Sequence, residues 1–190
     1  MEEKVGILVG TKGRGSNMLA LIEACQSGKV PAQIGIVIAP AADSPALAKA
    51  VERKVPTAVV EPGESYAERL LKALNGCTVL CLAGLMRMLP QEVLNAFPGR
   101  VLNIHPALLP KFGGKGMFGM HVHRAVLESG ERESGCSVHI VTPVYDEGPI
   151  VVQKTCRIFS DDTPETLAQR VLTLEHEAYP QALSMVLRGE

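Results

Sequence analysis

An α/β fold built on a mostly parallel sheet flanked by helices is what this sequence predicts, and three observations carry the prediction. Short apolar, β-branched runs alternate with segments of helical period through the first half of the chain, the pattern left by successive βαβ units. Those runs are nearly continuous in apolar character, as expected of parallel strands covered on both faces. A length of 190 residues, 46% apolar and 21% charged, suits one compact domain over residues 1–190 that buries roughly 70% of its unfolded surface.

The first strand is expected at residues 5–9. It runs through a glycine-rich segment into a helix on which Met18, Leu21, Ile22 and Cys25 keep i, i+3, i+4, i+7 spacing. Residues 34–39, 57–60, 78–83 and 100–104 continue the strands, and Leu47 with Val51, then Leu70, Leu71 and Leu74, mark helices between them. Beyond Pro106 the pattern changes. A glycine-rich loop over 112–119 leads to a helix near 123–129, and strands at 137–141 and 150–158 flank a turn at 145–149. Thr163 as N-cap and Pro164 in the first turn open a terminal helix with Leu167, Val171, Leu174 and Ala178 on its buried face. Pro180 is expected to kink or break that helix.

Charge and cysteine usage exclude several classes. Nineteen basic residues against 20 acidic ones, a net charge of -1, leave no cationic surplus for a nucleic-acid backbone. The acidic start Met1-Glu2-Glu3-Lys4 lacks the basic and apolar regions of an export signal. The longest apolar run, 79–86, is under half the ~20 residues needed to span a bilayer, so no membrane partner and a cytoplasmic location are expected. Five scattered cysteines without a C-x-x-C pair read as reduced core thiols. His121 and His123 lack the acidic or thiol companions of a metal pair, and no metal is expected.

Three motifs carry chemistry. Gly10-Thr-Lys-Gly-Arg-Gly-Ser-Asn17 joins a strand to a helix, where backbone N–H groups and the helix N-terminus attract an anion such as phosphate. It is neither a Walker A loop nor G-x-G-x-x-G, because Ser16-Asn17 and Met18 occupy the discriminating positions; a plain βα turn capped by Ser16 is the alternative. Asn103-Ile-His-Pro-Ala-Leu-Leu-Pro110 follows an apolar strand, and alternation puts Asn103 and His105 on one side at the carboxyl end of the sheet, where open α/β sheets bind ligands. A histidine bonded to a loop carbonyl is the competing reading. Asp146-Glu-Gly-Pro149 is a turn whose aspartate either caps its own backbone or stands beside His105 and favours the imidazolium. An amide and a charged imidazole together would serve a developing oxyanion.

With Leu82-Ala-Gly-Leu-Met-Arg87, Ser137-Val-His139 and Glu175-His-Glu-Ala-Tyr-Pro180 added in order along nearly the whole chain, these motifs resemble the phosphoribosylglycinamide formyltransferase family. The resemblance implies a Rossmann-like, mostly parallel twisted sheet of formyltransferase type. It implies that Gly15, Ser16 and Asn17 hold the phosphate of glycinamide ribonucleotide and Glu175 its ribose hydroxyls. Arg87, Met88 and Leu89 would line the folate cleft, with Thr142, Pro143, Val144, Tyr145 and Asp146 closing its other side, and Asn103 would also bind the folate. Asn103, His105 and Asp146 would be the catalytic trio, and 10-formyltetrahydrofolate the co-substrate. Protonated His105 and Asn103 would stabilise the tetrahedral adduct while Asp146 helps move a proton from amine to leaving folate nitrogen.

In the family the stretch equivalent to His121–His123 borders the active site, so His121 is expected to orient it, while His139 is either a partner of the trio or a satisfied core residue. The sequence departs from the family at a longer, glycine-rich 112–120 loop and at Leu172, where many members carry a polar residue. Two small molecules are the expected partners, and the sequence leaves a homodimer open. The alternatives are a formyltetrahydrofolate hydrolase, whose relatives usually bring an extra domain, and a non-catalytic nucleotide-binding module.

Overall fold

The structure is a computed structural model that describes residues 3–11 and 13–190; Met1, Glu2 and Lys12, the last in the expected phosphate loop, lie outside the described residues. Seven strands, β1 (Lys4–Val9), β2 (Gln33–Ala39), β3 (Thr57–Val59), β4 (Val79–Ala83), β5 (Arg100–His105), β6 (Glu133–Ile140) and β7 (Ile150–Arg157), form one sheet. Their order is β3-β2-β1-β4-β5-β6-β7. The first five are parallel; β6 and β7 are antiparallel. Among the described residues six helices cover the sheet: α1 (Ser16–Gln26), α2 (Pro45–Glu52), α3 (Tyr66–Ala73), α4 (Gln91–Ala96), α5 (Met120–Glu128) and α6 (Pro164–Arg188).

Strand side chains alternate between two cores. Ile7, Val37, Cys81 and Leu102 join a cluster with Met18 and Leu21 of α1, Ala46 of α2, Val122 of α5 and Leu167 and Val171 of α6. Leu8, Ile38, Leu80 and Val101, their neighbours in sequence, join the opposite cluster with Leu70 of α3 and Val93 of α4. This period of two on a sheet covered from both sides explains why the strands read as unbroken apolar runs.

The chain leaves β1 toward β2 and β3, then returns to β4 on the other side of β1, which makes a topological switch at the carboxyl ends of β1 and β4. Backbones meet closely there. A Cβ on Gly10 would sit 2.2 Å from the Gly84 carbonyl oxygen, so only glycine keeps the two strand ends together.

Several boundaries differ from the sequence reading. β6 begins at Glu133, four residues before the expected start, because Glu133, Ser134 and Gly135 hide the strand pattern. Gly135 is needed there: a Cβ would lie 1.9 Å from the Lys154 carbonyl oxygen on β7. The short α4 has no counterpart among the expected elements. Pro180 does not break α6, which runs unbroken from Pro164 to Arg188. A proline removes one backbone donor, and here the loss is offset by buried neighbours on both sides, Ala178, Tyr179, Ala182 and Leu183. The Tyr179 hydroxyl is shared between the Leu82 and Leu102 carbonyls at 2.8 and 3.1 Å, which ties the helix to β4 and β5. At the other end Thr163 and Thr166 form a reciprocal capping box.

Candidate functional site

A cavity of about 750 Å³ opens over the switch point, walled by the segments that follow β1, β4 and β5, by the 114–120 loop, by the turn after β6 and by α6. β5 delivers two polar side chains to it. Asn103 and His105 are two apart on that strand, so both point to one side, and they stand opposite His139 and Ser137 of β6. Asp146 arrives from the turn after β6 with φ of 56°, a left-handed conformation that aspartate tolerates better than most residues.

The Asp146 carboxylate lies between two imidazoles. Its Oδ2 is 3.6 Å from His105 Nδ1 and its Oδ1 is 3.5 Å from His139 Nε2. The Gly114 N–H donates to Oδ2 at 2.9 Å, so the aspartate bonds a distant loop and does not cap its own turn. Burial opposes its charge, but His139, the Gly114 N–H and His105 outweigh that and hold its carboxyl below the usual range.

His105 is 4% exposed and joins both expected arrangements. Its Nε2–H donates to the Phe112 carbonyl at 2.7 Å, while Nδ1 faces Asp146. Since a carbonyl only accepts, Nε2 keeps its proton and titration occurs at Nδ1. Burial lowers the pKa of this imidazole; Asp146 and the Phe112 carbonyl pull it up without reversing the direction. That direction favours a neutral ring at His105 in the free protein. His139 Nδ1 donates to the Ile140 carbonyl at 3.0 Å, and its Nε2 lies 3.2 Å from Asn103 Nδ2 and 3.5 Å from Asp146 Oδ1. His139, which the sequence left between partner and bland core residue, is a partner of both Asn103 and Asp146.

The phosphate-loop end is built differently from the plain turn. Gly15, not Ser16, precedes the helix, with φ of 71°, and no side chain caps α1. The N–H groups of the first turn stay available to an anion. Asn17 Nδ2 donates to Glu175 Oε2 at 2.6 Å, and burial pushes the Glu175 carboxyl up, against the pull of Asn17.

Asn17, Arg87, Met88, Leu89, Thr142, Val144, Tyr145 and Glu175 line the cavity together with Asn103, His105 and Asp146. Gly15, Ser16 and Pro143 are not part of its wall. Sequence reasoning put weight on His121, yet His123 lines the cavity and His121 is exposed, edge-on to Phe118 at 5.7 Å between ring centroids. Residues two positions apart on a helix point about 200° apart, so one of the pair had to turn outward. Leu172 and Ala168 bring an apolar strip of α6 to the same wall. The cysteine reading holds for Cys77, Cys81 and Cys136, whereas Cys25 and Cys156 are half-buried; burial pushes the Cys25 thiol up to about 11.

A Rossmann-like sheet with an amide, two imidazoles and a carboxylate gathered at its switch point defines an α/β enzyme of the acyl-transfer class, equipped to hold a developing oxyanion beside an acid–base pair. The pattern described as formyl transferase matches residues 5–183. The chain belongs to that family.

It is 39% identical over 188 residues to the chloroplastic phosphoribosylglycinamide formyltransferase of Arabidopsis thaliana, covering 95% of this chain and 64% of that protein. It is 35% identical to the phosphoribosylglycinamide formyltransferase of Escherichia coli, covering 97% of this chain and 88% of the relative. The crystal structure of glycinamide ribonucleotide transformylase 1 from Symbiobacterium toebii superposes with a TM-score of 0.90 at 35% identity, covering 99% of this chain and 89% of that one.

Proposed function

We propose that this chain transfers the formyl group of 10-formyltetrahydrofolate to the amine of glycinamide ribonucleotide, and that residues 1–190 act as one domain in doing so. The observation that carries the reading is the convergence of Asn103, His105 and Asp146 on one cavity wall. The free first turn of α1, with Gly15, Ser16 and Asn17, receives the phosphate, and Glu175 accepts from the ribose hydroxyls. The folate ring lies between the Arg87–Met88–Leu89 segment and the 142–146 turn.

The glycinamide nitrogen attacks the formyl carbon, and its C–N bond forms as the carbonyl electrons move onto oxygen. Asn103 Nδ2–H and His105 Nε2–H donate to that oxygen. The Phe112 carbonyl holds the same Nε2–H in the free protein, so the adduct exchanges one acceptor for a charged one. Charge on the oxygen and on Asp146 then favours uptake of a proton from water at His105 Nδ1, given back to water as the adduct collapses. Collapse of the adduct breaks the bond to the folate nitrogen, which takes the proton the amine loses, relayed through water held by Asp146.

The test is to incubate the chain with both compounds and follow formylated ribonucleotide by mass spectrometry beside tetrahydrofolate by absorbance. The two products should rise together, and only when the ribonucleotide is present. Folate release at the same rate without ribonucleotide would replace transfer with hydrolysis.

A further inference from the structure

We propose that Tyr66 is a positioning residue for the folate half of the site, acting through Arg87; the inference rests on the reading that the cavity takes a formyl-folate. Arg87 sits in the segment after β4, where residues 84–89 form neither helix nor strand. A long side chain on such a segment needs an outside constraint to keep one orientation. Tyr66 supplies it twice. The Arg87 Nη2 donates to the Tyr66 hydroxyl at 3.2 Å, and the guanidinium carbon lies 4.8 Å from the centre of the same ring, within cation–π range.

Tyr66 is itself fixed. It is 9% exposed and packs in the core cluster beneath β4 and α4, while the left-handed Ser65, with φ of 51°, sets its entry into α3. Among the described residues no carboxylate lies within ion-pair distance of Arg87. Among the described residues Arg87 and Lys115 are the cationic side chains on the cavity wall, and Lys115 is exposed on the glycine-rich loop. An oriented guanidinium with free N–H groups and no protein anion fits a carboxylate on the ligand, and a folate carries carboxylates on its glutamyl tail.

The experiment uses the full chain and the unreactive probe 5,8-dideazafolate, with and without its glutamyl tail. Tyr66→Phe keeps the ring and removes the acceptor. It should weaken binding of the tailed probe about fivefold and raise the formyl-folate KM by the same factor, leaving kcat and the ribonucleotide KM within about twofold. Tyr66→Leu, losing the ring as well, should add a further severalfold. The tail-free probe should bind wild type and Tyr66→Phe alike, and in an Arg87→Ala background Tyr66→Phe should change nothing.

Equal affinity of wild type and Tyr66→Phe for the tailed probe overturns the proposal, as does an unchanged Tyr66→Phe effect in the Arg87→Ala background. If Tyr66→Leu does not fold, Tyr66→Phe decides alone. A wild-type chain that binds the probe without formylating the ribonucleotide overturns the acceptor reading only; one that does not bind it overturns both.

Discussion

Asn103 and His105 occupy alternate positions of one strand, yet their demands differ. Asn103 offers a donor whose alternative partner is the His139 ring, whereas His105 offers one held by a loop carbonyl. On the proposed reading, removing either would leave the adduct's oxygen with one donor, and the loss of such a donor costs ~100- to 1000-fold in kcat. Asn103→Ala and His105→Ala should each fall that far, with ribonucleotide affinity retained by titration; near-normal turnover in either would remove these residues from the chemistry. Glu175 poses the opposite problem, a carboxylate kept from water with one amide donor. Its folded pKa lies above the unfolded value, so its contribution is complete below about pH 4 and is lost as pH rises through the folded pKa. Glu175→Gln should melt with wild type near pH 4 and above it near pH 8, while its KM for the ribonucleotide rises. A variant that melts lower at both pH values would show that burial of this charge is not what destabilises the fold.

Elements place these groups through contacts that the sequence reveals unevenly. The five parallel strands and α1 were legible because burial on two faces leaves continuous apolar runs, and Asn103 with His105 was legible because a strand's period is two. Asp146 was harder, since nothing local says that a turn aspartate bonds Gly114, 32 residues earlier. His123 in place of His121 depends on the phase of α5, and α5 begins after a glycine-rich loop that carries no phase. Pro180 misled because a single-residue rule takes no account of the packing on either side of it.

Ser137 shows how much such long-range contacts hold. Its hydroxyl donates to the Ala107 carbonyl at 2.7 Å and accepts from the Leu109 N–H at 3.0 Å and Gln153 Nε2 at 2.8 Å, using its one donor and both lone pairs. These bonds fix the chain that leaves His105. Ser137→Ala should destabilise by about 2 kcal/mol, the cost of stranding buried partners, and should lower kcat more than it raises either KM. Chemical denaturation and steady-state kinetics check both parts. Gly148 is a second such point, because a Cβ there would lie 1.7 Å from the Ile140 carbonyl oxygen. Gly148→Ala must shift the turn bearing Asp146, so its kcat should fall further than its melting temperature alone would suggest.

At the scale of the whole molecule a net charge of -1 provides no field to gather an anionic substrate, so affinity has to come from local groups, and the same groups set how the fold responds to acid. Burial lowers the pKa of His105, of His123 and of His176, with His105 adding to the effect at His123. The unfolded chain, with imidazoles near 6.5, therefore binds more protons than the native one just below neutrality. Native stability must fall as pH drops through about 6.5 toward the folded values, since unfolding is favoured wherever it takes up protons. Asp146 joins later. Its depressed pKa makes its contribution complete above about pH 4 and lost only in stronger acid. Two stages follow: a decline in melting temperature between about pH 7 and pH 5 from the imidazoles, then a steeper one below about pH 4 from carboxylates. His123, whose Nδ1 is buried with no hydrogen-bond partner among the described residues, isolates the first stage, because replacing it removes one proton-uptake site on unfolding without touching Asp146. His123→Gln should flatten the decline between about pH 7 and pH 5 and leave the later decline in place. Melting curves at half-unit pH steps would show it, and an identical slope in the two proteins would mean that His123 does not resist protonation in the fold.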